Sequence, residues 1–106
     1  MLSIKFIREN KDRVINSIKN KNVELDIDHL LQLDEERRKI IGTAEKMKAR
    51  RNQVSLEIAK KKKQGGNAEE EIKMMQTVSS EIKEMDTKLK AIETELNNLL
   101  LFYLVS

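Results

Sequence analysis

Proline, cysteine and tryptophan are absent from this 106-residue sequence, and glycine occurs only three times. Without cysteine the chain can form no disulfide, thiolate metal site or cysteine nucleophile. Aromatic residues make up only 3% of the sequence, and strands favour aromatic and β-branched side chains, so an all-β fold is close to excluded. Charged residues make up 37%, and high charge without proline is typical of long helices. These features predict an all-α protein.

Long apolar runs are also missing. No stretch of 18 apolar residues occurs, and the opening MLSIKFIREN lacks the organisation of a signal peptide, so we expect a cytoplasmic protein with no membrane partner. His29 is the only histidine, which argues against a metal site and favours surface or cap-region packing. Ser79 and Ser80 have no histidine at a compatible spacing for a catalytic triad. We therefore expect no catalytic residue, metal or cofactor in this chain.

Turn signals divide the chain into helical segments. The first strong turn signal is formed by Gly65, Gly66 and Asn67. Asp26 or Asp28 is well placed to cap the N-terminus of the long helix that precedes this turn. Glu69, the first of three consecutive acids, suits a helix N-terminus. The sequence thus predicts one domain over 1–106, divided into an N-terminal helical base (1–27), a first long helix (28–64), a turn (65–67) and a second long helix (68–103).

Both long helices carry an apolar seam with alternating steps of three and four residues, the spacing of a coiled coil. The first seam comprises Leu33, Arg37, Ile40, Ala44, Met47, Arg51, Val54, Ile58 and Lys61. The second comprises Ala68, Ile72, Met75, Val78, Ile82, Met85, Leu89, Ile92, Leu96, Leu99 and Tyr103. Folding the chain about the two glycines places apolar residues opposite each other, for example Leu33 and Leu96. We therefore predict a long antiparallel two-helix coiled-coil hairpin with short N-terminal helices packed at its base.

Two seam positions are arginines, and a buried guanidinium needs an acidic partner or a route to water. The same register places Glu93 near Arg37 and Glu81 near Arg51. Two interpretations stay open. In the first, both arginines fix the register of the hairpin. In the second, Arg51 belongs to a ligand-binding surface.

Charge is distributed unevenly between the two helices. Residues 46–63, here called the basic segment, contain eight lysines and arginines against Glu57 alone, a balance of +7, whereas residues 67–101 have a balance of −4. A polyanion is the natural partner of such a surface, and the sequence offers no aromatic platform for stacking single-stranded bases. Structured RNA, which is recognised through backbone and shape, fits best. The alternative is an ordinary solvated helix face.

Four strings in order resemble the N-terminal domain of bacterial-type seryl-tRNA synthetases. They are MLSIKFIREN at the start, VELDIDHLLQLDEERRKI at 23–40, RRNQVSLEIAKKKKQGG at 50–66 and ELNNLLL at 95–101. The resemblance implies a helical hairpin that projects from a class II catalytic core and grips the long variable arm and elbow of serine tRNA, positioning it for ATP-dependent serylation. It also implies a homodimer, with ATP and Mg, for the full-length enzyme, whereas we expect a monomer or weak homo-oligomer here.

The resemblance also implies which residues bind RNA, through phosphate and ribose contacts. The candidates are Arg50, Arg51, Asn52, Ser55, Lys60, Lys62 and Lys63, with Lys46 and Lys48 matching only the basic character of the region. The sequence departs from the family at its end, where 102–106 read FYLVS instead of a proline-containing linker, and the ATP-binding and serine-binding motifs are absent. A fragment and a free-standing relative both fit. The alternative function is a structural coiled-coil hairpin that mediates protein–protein interaction.

Overall fold

The computed structural model describes the backbone of residues 4–17 and 21–105, and the side chains of residues 4–14 and 27–101. These residues form four α-helices, α1 (Ile4–Glu9), α2 (Lys11–Ser17), α3 (Lys21–Lys63) and α4 (Glu69–Val105). The described residues contain no strand. The predicted all-α fold, with a helical hairpin formed by α3 and α4, is therefore confirmed.

The first long helix begins earlier than predicted. It starts at Lys21, so the predicted start at 28 and the cap at Asp26 or Asp28 are wrong. The segment has no proline or glycine to stop a helix, and Ile27 and Leu30 are buried at helical spacing. Burial of both side chains in one core favours continuing the helix through this segment. The other bounds differ from the prediction by one or two residues.

The chain divides into two compact units. The terminal unit comprises residues 1–39 and 90–106, and the central unit comprises residues 40–89. In the terminal unit, α1 and α2 contact each other, and their buried side chains Ile7 and Val14 join a core with α3 and α4. The core members contributed by α3 and α4 are Ile27, Leu30, Leu33 and Leu96. Each fully buried aliphatic side chain stabilises the folded state by about 1.5–3 kcal/mol relative to an exposed one. This core explains why the short helices pack at the base of the hairpin.

A buried carboxylate lies beside this core. The side chain of Asp34 is fully buried and accepts hydrogen bonds from Arg8, Arg37 and Arg38 at 2.8, 3.0 and 3.2 Å. Arg37 was expected to pair with Glu93, but its ion-pair partner is Asp34, one helical turn earlier on α3. The nearby carboxylate is already fixed on the same helix, so the guanidinium needs no partner from α4. Glu93 lines a shallow recess together with Arg37.

Another polar pair joins α3 and α4 in the terminal unit. His29 Nε2 and Glu95 Oε1 lie 2.8 Å apart, and both side chains are about half exposed. The sequence predicted surface or cap-region packing for His29. The structure gives it a surface position on α3, within the helix and away from its end.

In the central unit the predicted seams are turned inward. Ala44 and Val54 on α3 are buried, as are the α4 members Ala68, Val78 and Ile82. The remaining α3 members from Ile40 to Ile58 are half-buried, whereas Ile72 is 38% exposed. Among the described side chains, no ion pair joins Arg51 to Glu81, the partner expected for it. The side chain of Tyr103, the last predicted seam member, lies outside the described residues.

The turn between α3 and α4 is set by local hydrogen bonds. Gly65 has a φ of +72°, a left-handed conformation that favours glycine. Gly66 N donates to Lys61 O at 2.8 Å and Gly65 N donates to Lys62 O at 3.1 Å, which together form a Schellman motif. Asn67 Oδ1 accepts from Glu69 N at 2.9 Å and caps α4. The predicted turn at Gly65 and Gly66 is therefore present.

Candidate nucleic-acid interface

The nine predicted RNA-binding residues all lie on α3 in the central unit. Eight of them are exposed, whereas Arg51 is half-buried in the seam. The α3 part of this unit, residues 40–63, carries eight lysines and arginines against two acids. The α4 part, residues 69–89, carries three lysines against six acids. Positive charge in this unit is therefore concentrated on one of its two helices.

Helical geometry sorts the predicted residues onto two flanks of the seam. At 3.6 residues per turn, residues seven apart in sequence lie nearly above one another. One group, here called the first flank, consists of Lys46, Arg50 and Lys60. The other, the second flank, consists of Lys48, Asn52, Ser55, Lys62 and Lys63. The structure therefore brings the candidates together as two surfaces rather than one.

Arg50 on the first flank is oriented by a contact with α4. Its Nη2 atom donates to Met74 Sδ at 3.4 Å, and both side chains are exposed. A sulfur acceptor is weak and a guanidinium has five N–H donors, so most of the donor capacity of Arg50 stays available for an anion. The flat guanidinium suits a phosphate group, which it can bind through two parallel hydrogen bonds.

Lys61 differs from the other three lysines at the end of α3. Its Nζ atom forms an ion pair with Glu71 on α4. The hydrogen bond from Lys61 holds the pKa of the Glu71 carboxyl below its usual range, and the hydrogen bond to Glu71 raises the pKa of Lys61. Lys61 is therefore engaged within the protein, whereas Lys60, Lys62 and Lys63 extend into solvent.

Lys62 on the second flank borders an open recess near the turn. The recess is lined by Lys62, Gly66, Asn67, Ala68, Glu69, Ile72, Lys73 and Gln76. Sequence reasoning missed Lys73, because it lies on the helix with an excess of acids. The predicted register would have identified it, since that register places residue 62 beside the first turns of α4. Lys62 and Lys73 give this recess a pair of cations that can contact phosphate oxygens.

No helix in the described part of the chain is long and apolar enough to cross a membrane. No group of three histidine, cysteine, aspartate or glutamate side chains within residues 4–14 and 27–101 is placed to hold a metal ion.

Known proteins show clear similarity over nearly the whole chain. Residues 1–102 match the family model described as the seryl-tRNA synthetase N-terminal domain. The chain is 44% identical over 102 residues to the serine-tRNA ligase of Staphylococcus haemolyticus and 43% identical over 101 residues to that of Carboxydothermus hydrogenoformans. It is 41% identical over 100 residues to the serine-tRNA ligase of Symbiobacterium thermophilum. These alignments cover 94–95% of this chain but 24% of each relative, so the chain spans about a quarter of their length.

Proposed function

The chain belongs to the seryl-tRNA synthetase N-terminal domain family, and we propose that it is the tRNA-binding arm of a serine-tRNA ligase. The observation that carries this proposal is the concentration of exposed lysines and arginines on the α3 part of the central unit, opposite an α4 part with excess acid. Each phosphate contacted by one of these cations releases counterions and favours binding. The arm would thereby hold a structured RNA through its backbone.

The two flanks suit a ligand that reaches both sides of the seam. We assign phosphate and ribose contacts to the candidates of both flanks and to Arg51, and leave out Lys61 because Glu71 engages it. Serine tRNA has two features to offer, its long variable arm and its elbow. In this proposal one flank faces the variable arm and the other faces the elbow. A-form RNA displays phosphates and 2′-hydroxyls across its accessible groove, which polar and basic side chains can contact.

The activity of the whole enzyme is part of the same proposal. The arm itself performs no chemistry, and it positions the tRNA for ATP- and Mg-dependent serylation by a class II catalytic domain that residues 1–106 do not include. The protein would act in the cytoplasm, as a homodimer when joined to that domain. The alternative of a structural hairpin that binds proteins lacks support from the family match, and the experiment below separates the two functions.

The test is an anisotropy titration of the chain against serine tRNA, the same tRNA without its long variable arm, and a DNA duplex, at several salt concentrations. The first-flank variant carries Lys46→Gln and Lys60→Gln, and the second-flank variant carries Lys48→Gln and Lys62→Gln. Both remove two charges from α3. A control with Lys83→Gln and Lys88→Gln removes two exposed charges from α4 of the same unit.

We expect tight, salt-sensitive binding to the intact tRNA. The slope of log K against log salt is negative, and each flank variant should make it shallower by about 2. The α4 control should leave the slope nearly unchanged. With the shortened tRNA, one flank variant should lose its effect and the other should keep it. Equal binding of all three nucleic acids, or equal effects of the flank and control variants, would reject the proposal in favour of a protein-binding hairpin.

A further inference from the structure

Three arginines converge on one carboxylate in the terminal unit. Arg8 Nη1 and Arg38 Nε both donate to Asp34 Oδ2, at 2.8 and 3.2 Å, and Arg37 Nη2 donates to Asp34 Oδ1 at 3.0 Å. Asp34 is fully buried, whereas the side chains of Arg8, Arg37 and Arg38 are 35%, 30% and 50% exposed. A buried acid therefore holds three cations at the surface.

This cluster has more positive charge than its acid can balance. One carboxylate faces three guanidinium groups, which leaves an excess of two positive charges among the bonded groups. Glu93 shares a recess with Arg37, and counting it still leaves a positive excess. Each guanidinium has five N–H donors and uses one of them on Asp34, and the buried Nε of Arg37 has no acceptor. The cluster thus has more N–H donors than hydrogen-bond acceptors and more positive than negative charges.

Arg8 and Arg38 are the pair best placed for an external anion. Their donor nitrogens both bond the single oxygen Oδ2, so the two guanidinium groups are neighbours, and both side chains are partly exposed to solvent. Close positive charges repel each other unless anions lie between or beside them. Asp34 also fixes one end of each guanidinium, so little side-chain freedom is left to lose when an anion binds.

We propose that Arg8 and Arg38, oriented by Asp34, form an anion site in the terminal unit that binds a phosphate group of the RNA backbone. This site lies outside the basic segment of residues 46–63 and rests on the proposed function, which supplies RNA as the ligand. The two non-bridging oxygens of a phosphodiester match two adjacent guanidinium groups. An acidic protein segment would use the same chemistry, and the test includes it as a separate ligand.

The main comparison is between Arg38→Gln and Lys39→Gln in the full chain. Both remove one charge from neighbouring positions, but Lys39 pairs with Glu35 rather than with Asp34. Arg38→Gln leaves Arg8 and Arg37 on Asp34, so the buried acid keeps two partners. We expect Arg38→Gln to weaken tRNA binding about tenfold near 0.1 M salt and to lower the salt slope by about 1. Lys39→Gln should stay within about twofold of the wild type, and Arg38→Lys should fall between them.

A second measurement does not depend on tRNA binding. Inorganic phosphate is titrated into ¹⁵N-labelled protein while the Nε–H signals of Arg8 and Arg38 are followed, with chloride at equal ionic strength as the control. Saturable shifts of both signals with phosphate that are absent with chloride, together with loss of the Arg8 shift in Arg38→Gln, would support the anion site. This result would hold even if the wild type bound no tRNA and the proposed function failed. Equal shifts with both salts would overturn the site.

The tRNA titration decides whether the ligand is RNA. If the flank variants weaken tRNA binding but Arg38→Gln behaves like Lys39→Gln, the proposed function stands and this inference is overturned. A poly-glutamate probe completes the test. Sensitivity to Arg38→Gln for poly-glutamate binding alone, without any change in tRNA binding, would assign the site to an acidic protein and overturn the RNA assignment.

Discussion

Replacing Asp34 with asparagine should destabilise the protein through loss of one buried charge. Asp34→Asn keeps the size of the side chain but leaves three guanidinium groups without their shared anion. Removing one partner of a fully buried ion pair costs about 3–5 kcal/mol. Here the arginines are 30–50% exposed and can regain water, which reduces the expected loss to about 2 kcal/mol. For a domain of this size, that corresponds to a fall in Tm of about 10 °C.

The pH dependence of this loss follows from the ionisation of Asp34. Burial alone would raise the pKa of Asp34, but the hydrogen bonds from Arg37 and Arg8 and the nearby charges of Arg37 and Arg38 outweigh it and lower the pKa. The folded-state pKa therefore lies below the unfolded value of about 3.9. The stability that the Asp34 carboxylate contributes is fully present at pH values above its pKa in the unfolded state. It is lost as the pH falls through its pKa in the folded state. The wild type and Asp34→Asn should thus converge in strong acid.

The assay is urea unfolding of both proteins, followed by circular dichroism at pH 7, 5, 4, 3 and 2. The difference in the free energy of unfolding should be constant between pH 7 and 5 and should shrink below about pH 4. Asp28→Asn serves as the control, because Asp28 forms a 2.6 Å ion pair with Lys11 in which both side chains are about half exposed. It should cost under about 1 kcal/mol. A difference for Asp34→Asn that does not change with pH would refute the reasoning.

Four further substitutions test the helices by the same urea assay. Gly42→Ala should stabilise by about 0.5–1 kcal/mol, since Gly42 lies within α3 and a Cβ atom there meets nothing within 4 Å; a loss of stability would contradict this. Gly65→Ala should destabilise by about 1 kcal/mol, because its φ of +72° strains any L side chain. Asn67→Ala removes the cap on Glu69 N and should cost about 1 kcal/mol, an effect that Asn67→Asp should not reproduce. Leu30→Ala should cost about 2–5 kcal/mol because Leu30 is fully buried, and a cost below 1 kcal/mol would exclude it from the core.

The hairpin could be predicted because two independent signals in the sequence agree. The seam spacing specifies which face of each helix is buried, and the glycine pair specifies where the chain reverses. Val54 and Val78 are buried as the spacing requires, and Gly65 takes the left-handed conformation that a helix C-terminus favours. Both signals are local in sequence, so they need no knowledge of distant contacts.

The start of α3 and the partner of Arg37 could not be predicted in this way. Segment 20–28 contains residues common in turns, but burial of Ile27 in one core with Ile7 of α1 and Val14 of α2 favours the helix over that local preference. The Asp34 cluster depends on Arg8, which is 26 residues away in sequence and lies on another helix. No periodicity links these two positions. Burial of an acid among arginines is therefore visible only once the core of the terminal unit is built.

The basic segment shows why charge in the sequence overstates a binding surface. Residues 60–63 are four identical lysines, and their identical chemistry gives no basis for choosing among them. Position on the helix does, because the seam spacing turns Lys61 toward α4, where Glu71 engages it. Lys60 and Lys62 fall on opposite flanks, so they should contact different parts of one RNA. The position of each lysine around the helix axis, relative to the seam, thus determines whether it is available to a ligand. The flank variants test this, because the two flanks should differ in their effects on binding of the intact and the shortened tRNA.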